Sequence, residues 1–182
     1  MKQIVASQPY GPNFLITKIE CKNHIMRNYK RRLREIGTKT KNATGSVPGS
    51  VRSLLDADRQ LRLRVAVTSA IRYRSAGYLP FQQRIDEPAK DIHNGPYHVF
   101  GDHRCWTERG FFCKGPKEGD VCLADIPKEV GMWDDILSAK NFVAHHLSSL
   151  IHNISTNDVE RFNSVLCKFL GGKRVYFSMR VS

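Results

Sequence analysis

At 182 residues, 41% hydrophobic and 25% charged, the chain is long enough for one domain with its own core and too apolar for a disordered tract. No apolar run approaches the ~20 residues of a membrane span, the stretch from Met1 to Tyr10 is too weakly apolar for a secretory signal, and five unevenly spaced cysteines do not form a secreted disulfide framework; a reducing compartment and no membrane partner are expected. The net charge of +12 is lopsided, because residues 1–84 hold 17 Lys and Arg against 4 Asp and Glu while the remainder holds 12 against 13. That bias points to an anionic partner, nucleic acid before others, with a merely soluble basic surface as the competing reading.

In chain order, residues 1–8 read as the end of a helix stopped by Pro9, and Phe14 to Glu20 has the β-branched character of a strand. Cys21 to Ile36 predicts a helix with Ile25, Met26, Tyr29, Leu33 and Ile36 on one face, stopped at Gly37. Thr38 to Ser50 reads as a flexible loop. A long helix is expected from about Val51 to Ser75, with Leu54, Leu55, Leu61 and Val65 as its buried stripe, closed by Gly77 and Pro80. Residues 81–94 suit a shorter helix despite Pro88, and Gly95 to Lys128 an irregular stretch stapled by a metal. Met132 to Asn153 returns to helix. Ser155 opens another, ending at Gly171-Gly172 and followed by a final strand or turn at 173–178.

Three constellations carry chemistry. In the first, Ser155/Asp158 and Asn157/Glu160 both have capping-box spacing, and Phe162, Val165, Leu166, Phe169 and Leu170 form a core-facing stripe. Glu160 lies off that stripe and reads either as a functional carboxylate or as an acid favoured by the helix dipole. In the second, Cys21 and His24 stand at i and i+3, so both can address one partner; a buried thiol beside a hydrogen-bonded histidine is the alternative. The third is His98, His103, Cys105 and Cys113, two imidazoles and two thiols that suit tetrahedral Zn²⁺, although a loop of polar histidines and partly buried cysteines reads equally from this spacing. Trp106, Phe111 and Phe112 can stack on bases or anchor that loop, and His145, His146 and His152 read as surface or interface residues. The candidate phosphate-contacting surface is the basic helix with Lys22, Arg27, Lys30, Arg31 and Arg34, together with Lys39, Lys41, Arg52, Arg59, Arg62 and Arg64.

The stretch Thr156-Asn157-Asp158-Val159-Glu160-Arg161-Phe162-Asn163 resembles the Thr-Asn-x-x-Glu-x-aromatic-Asn segment around the last catalytic glutamate of Mutator-like transposases. Arthropod domains of that type are similar also at Gly171-Gly172-Lys173-Arg174, at Lys18 to His24 and at Asn28-Tyr29. The resemblance implies a partial RNase H-like core, mainly α with few strands (α+β), interrupted by a helical insertion. It implies three carboxylates holding two Mg²⁺ or Mn²⁺ ions for cleavage and transfer of DNA strands, with Glu160 the third ligand, Cys21 and His24 shaping the site or touching DNA, and Lys173 and Arg174 joining the DNA contacts. The first two acids are expected upstream of Met1, since none of Asp56, Asp58 or Asp86 has a matching context.

The resulting organisation is one partial domain over 1–182: strand and basic helix at 1–37, loop at 38–50, helical insertion with the His/Cys-rich loop at 51–128, and carboxyl-terminal helices at 129–182. The expected protein is a fragment of a nuclear DNA transposase that binds DNA without cutting it and associates with other transposase copies. The alternative is a non-catalytic zinc- and nucleic-acid-binding module.

Overall fold

The computed structural model describes residues 11, 13, 17–75, 79–104, 115–116 and 118–169. Helix α1 (Lys22–Thr38) buries Ile25, Met26, Tyr29, Leu33 and Ile36, the stripe its periodicity predicts. It does not stop at Gly37 but runs one residue further, and the N–H of Lys39 closes it on the carbonyl of Ile36. The segment 17–20 is extended without a strand partner, so the expected strand is not formed there; Phe14 to Ile16 lie outside the described residues, as do the proposed helix at 1–8 and the strand or turn at 173–178.

Residues 38–50, expected to be a flexible loop, are instead pinned. Strands β1 (Lys41–Asn42) and β2 (Gly45–Ser46) pair antiparallel as a minimal hairpin, with Lys41 opposite Ser46. The amide of Asn42 and the hydroxyl of Thr44 both donate to the carbonyl of Val130, at 2.7 and 2.8 Å, and the Lys39 ammonium meets the Asp135 carboxylate at 3.0 Å. Gly131 makes this approach feasible: its φ is +69°, and a Cβ there would collide with the Thr44 side chain.

The long helix expected from Val51 to Ser75 is broken. Helix α2 (Gly49–Arg52) passes into a 3₁₀ turn at Ser53–Leu55, and Asp56 then starts α3 (Ala57–Ser75), its carboxylate accepting the N–H of Arg59 at 2.7 Å. That break resets the helical phase. Leu55 is buried and Leu54 partly so, but Leu61 and Val65 point outward at 51% and 44% exposure, and the buried stripe is Leu63, Ala66, Val67, Ala70 and Ile71.

Helix α4 (Phe81–Val99) returns antiparallel to α3, with Arg74 near the end of α3 paired to Glu87 and Asp91. It outruns the expected 81–94 and contains both Pro88 and Pro96. Packing overrides the breaker signal: Gly95 and Pro96 are both buried, and a Cβ on Gly95 would stand in contact with that of Ala66 on α3, at 3.4 Å. The helix closes in a Schellman motif, with Gly101 at φ +83°, its N–H bonded to the carbonyl of His98 and that of Asp102 to Tyr97.

Helix α5 (Asp125–Glu129) leads into α6 (Met132–His145). The predicted continuous helix to Asn153 breaks at His146, after which α7 (Leu147–Leu150) is a single turn. One core joins the faces of α1, α3, α4 and α6, with Trp133 edge-on to Tyr97 and Phe100 at 5.2 and 5.3 Å between ring centroids. Helix α8 (Asn157–Phe169) follows, its end beyond Phe169 lying outside the described residues. Its expected core stripe is not buried: Phe162 is 66% and Phe169 84% exposed, and Val165 and Leu166 are exposed as well. The architecture is thus mainly helical with one two-stranded sheet among the described residues, and no described helix is long and apolar enough to cross a membrane.

Candidate functional site

The segments around Cys21 and Glu160, far apart in the chain, meet at the start of α1. A helix leaves its first N–H groups without intrahelical partners. Here the N–H of Lys22 is taken by the carbonyl of Ile154 at 3.0 Å. Side chains extend the same junction: the Lys22 ammonium donates to Asn153 Oδ1 at 2.7 Å, and the Asn23 amide donates to Ser155 Oγ at 3.0 Å and Asn157 Oδ1 at 2.6 Å. These hydrogen bonds tie the start of α1 to the start of α8.

Thr156 is the hinge of the chemistry. Its N–H lies 3.4 Å and its hydroxyl 3.3 Å from Cys21 Sγ, and the same hydroxyl stands 3.0 Å from Glu160 Oε1. One hydroxyl has one proton. It can go to the carboxylate while the thiol supplies the proton of the sulfur contact, or to a thiolate at the expense of the carboxylate. Burial opposes ionisation of Cys21, but the hydroxyl of Thr156 and the backbone N–H groups of His24, Thr156 and Asn23 together outweigh it and lower the thiol to about 7. At the two capping-box spacings, Ser155 Oγ accepts the N–H of Asn157 and the Thr156 hydroxyl reaches Glu160, while the Asp158 side chain lies outside what is described.

His24 Nε2 lies 3.5 Å from Glu160 Oε1, both side chains about half exposed, so this is a solvated pair of modest strength. On the other side of Cys21 a hollow of about 310 Å³ is lined by Lys18, Glu20, Cys21, His24, Ile25, Asn28, Phe142 and His146. Glu20 is held by Lys18 at 2.7 Å and by His146 Nε2 at 2.9 Å, while the other ring nitrogen of His146 faces the carbonyl of Phe142 at 2.8 Å. The hydrogen bond from Lys18 holds the Glu20 carboxyl below its ordinary range against partial burial, with His146 adding to it. Sequence reasoning had given His146 no specific part and had missed Thr156 as the bridge, although Thr156 stands inside the quoted motif.

Among the described residues, no group of three or more His, Cys, Asp or Glu side chains could hold a metal ion. One carboxylate, one imidazole and one thiol do not by themselves fit Mg²⁺ or Mn²⁺, which favour several oxygen ligands. His98 and His103 do come together, ring centroids 5.3 Å apart, with burial keeping His98 below its usual range. Cys105 and Cys113, the other two ligands expected for zinc, lie outside the described residues, as do Trp106, Phe111, Phe112, Lys173 and Arg174.

Along α1 the residues Asn23, Arg27, Lys30 and Arg34 fall on one face by their 4-3-4 spacing, so a basic row starts at the junction with α8. None of these three cations is in an ion pair among the described residues, whereas Arg31 is paired with Glu35 at 3.0 Å, Lys39 with Asp135 and Arg59 with Asp56. Of the surface proposed from sequence, Arg31, Lys39 and Arg59 each have a carboxylate partner. Arg32 is also committed, its guanidinium 4.4 Å over the Phe142 ring.

Comparison with known proteins gave one finding: a protein-family model described as Mutator-like transposase matches residues 1–113. That match covers Cys21, His24 and the basic row but stops short of Glu160. Neither the curated proteins nor the solved structures returned a match.

Proposed function

We infer that this chain, which belongs to the Mutator-like transposase family, is a DNA-binding transposase chain. Cys21, His24 and Glu160 form its site at one end of a basic helix. The observation that carries this reading is the junction itself. The Cys-x-x-His lies within the family match and the Thr-Asn-x-x-Glu segment lies beyond it, yet hydrogen bonds between Cys21 and Thr156 and between Asn23 and both Ser155 and Asn157 join them. The cations Arg27, Lys30 and Arg34, in no ion pair among the described residues, run away from that junction as a backbone-positioning row.

In this reading Glu160 would supply one carboxylate to a Mg²⁺ or Mn²⁺ site whose other ligands are not among the described residues, and such ions would supply charge stabilisation at the reacting phosphodiester. The Thr156 hydroxyl, which lies between Cys21 Sγ and Glu160 Oε1, orients that carboxylate. No cleavage step is assigned to the described residues, and DNA binding is the activity proposed for the chain.

The test is fluorescence anisotropy of labelled duplex DNA titrated with the chain across NaCl concentrations. Binding whose log K falls linearly with log salt, with a slope of about −0.9 per phosphate contact, is expected. Absence of binding, or binding indifferent to salt, overturns the reading. The His98–His103 pair favours a second reading, a zinc- and nucleic-acid-binding module. Stoichiometric zinc in the purified chain, lost in His98→Ala, would support it.

A further inference from the structure

We propose that the groove between α1 and α3 seats a nucleic-acid strand, and that the cleft at its end, lined by Lys22, Thr68, Ser69, Arg72 and Asn153, takes a backbone phosphate. The proposal rests on the DNA-binding reading above and adds the place where the backbone lies.

The two helices run antiparallel, as their ends show. At the far end of α1, a Cβ on Gly37 would stand 3.5 Å from Gln60 Nε2, near the start of α3. At the near end, Lys22 shares the cleft with Thr68, Ser69 and Arg72 from the second half of α3. Gln60, Arg64, Thr68 and Arg72 follow at four-residue steps of about 6 Å along α3; Thr68 and Arg72 line the cleft, while the Gln60 amide donates to the carbonyl of Leu55. Lys30 and Arg34 belong to the basic row of α1. Cations thus border the groove from two helices.

The cleft itself, about 370 Å³, is lined by Lys22, Thr68, Ser69, Arg72 and Asn153, with no carboxylate among these residues; the Thr68 hydroxyl donates to carbonyls of its own helix, those of Arg64 and Val65, which leaves two cations, the Ser69 hydroxyl and the Asn153 amide. Cations, a hydroxyl and an amide around one concave cleft suit a phosphodiester. Arg64 enters no ion pair among the described residues, and its buried Nε has no hydrogen-bond partner there. Lys22 is held in place by Asn153, so its ammonium is fixed at the mouth of the cleft. Because Lys22 directly follows Cys21, a phosphate seated here would lie beside the Glu160 junction, and the strand would run from it along the groove.

The experiment compares the wild-type chain with Arg64→Gln/Arg72→Gln, with Arg64→Lys/Arg72→Lys and with the distant control Lys128→Gln, using anisotropy of labelled duplex DNA over a range of NaCl. The glutamine pair should shrink the salt slope by about two and weaken binding equally on unrelated DNA sequences. The lysine pair should keep most of the slope, and Lys128→Gln should leave it unchanged. Circular dichroism confirms that each variant is folded. A folded glutamine pair with the wild-type slope overturns the groove while leaving the DNA-binding reading intact. A lysine pair as weak as the glutamine pair also overturns it, since charge would then not be what matters. Loss of heparin binding with duplex binding unchanged would make the groove a general polyanion site and sink the nucleic-acid assignment. No DNA binding by the wild type removes both readings together.

Discussion

Helices α1 and α8 carry the same kind of apolar stripe, and they meet at their starting ends, yet one is buried and the other is open to solvent. In α1, Tyr29 and Leu33 are 1% and 0% exposed because α6 and α3 both pack against that face. In α8, Val159, Phe162, Leu166 and Phe169 are spaced three and four residues apart like any core-facing set, and all are exposed. What holds α8 at its start is polar: the hydrogen bonds of Asn23, Thr156 and Ser155 fix its entry to the fold without any apolar contribution from its stripe. A hydrophobic period identifies which face a helix would bury. It carries no information on whether a partner surface is at hand.

Four measurements sharpen or break this contrast. The largest effect is expected from Leu33→Ala, which should cost about 2–5 kcal/mol in urea unfolding, because the cavity would open between packed helices; a loss below about 1 kcal/mol would mean that the α1 core is not as closely packed as described. Next comes the junction. Asn23→Ala removes both of its donors to the start of α8 and should cost about 1 kcal/mol, with faster amide exchange confined to residues 155–160. Uniform protection there would show that α8 is held by something else.

The third is a pH effect. The folded thiol of Cys21 titrates at about 7, below the ordinary thiol value of about 8.5. An acid lowered by folding adds stability that is complete above its unfolded value and is lost as pH falls through the folded one. Stability of the junction should therefore rise between pH 6 and 9, and Cys21→Ala should remove that dependence. Site-resolved labelling with iodoacetamide should show a midpoint near 7 at Cys21, and an unshifted thiol would leave Thr156 without its bridging role. The smallest effect belongs to the exposed stripe: Phe162→Ser should change stability by no more than about 0.5 kcal/mol. A large loss would show that the face is covered.

Much of the fold could be read before any coordinates. Periodicity located α1, α6 and α8 and named every buried residue of α1, and the Cys-x-x-His and the Thr-Asn-x-x-Glu stretch were recognised at their positions. Errors cluster where distant contacts outweigh local preference. Gly95 and Pro96 signal an end to α4, but close packing on Ala66 carries the helix through them. Residues 38–50 have the composition of a flexible loop, yet Val130 and Asp135 capture them. A single capping aspartate, Asp56, shifted the phase of α3 and turned Leu61 and Val65 outward.

The sequence by itself determined the family, the helical character, the concentration of positive charge in the first half and the residue types available for chemistry, because composition, period and motif are local properties. Only the tertiary structure decided that Cys21 and Glu160 share the hydroxyl of Thr156, that Lys39 is paired with Asp135, and that Lys22 and Arg72 line one cleft. Those outcomes depend on which side chains come within a few ångströms across long stretches of chain. Hydrogen bonds and ion pairs act only at that range, so no local pattern encodes them.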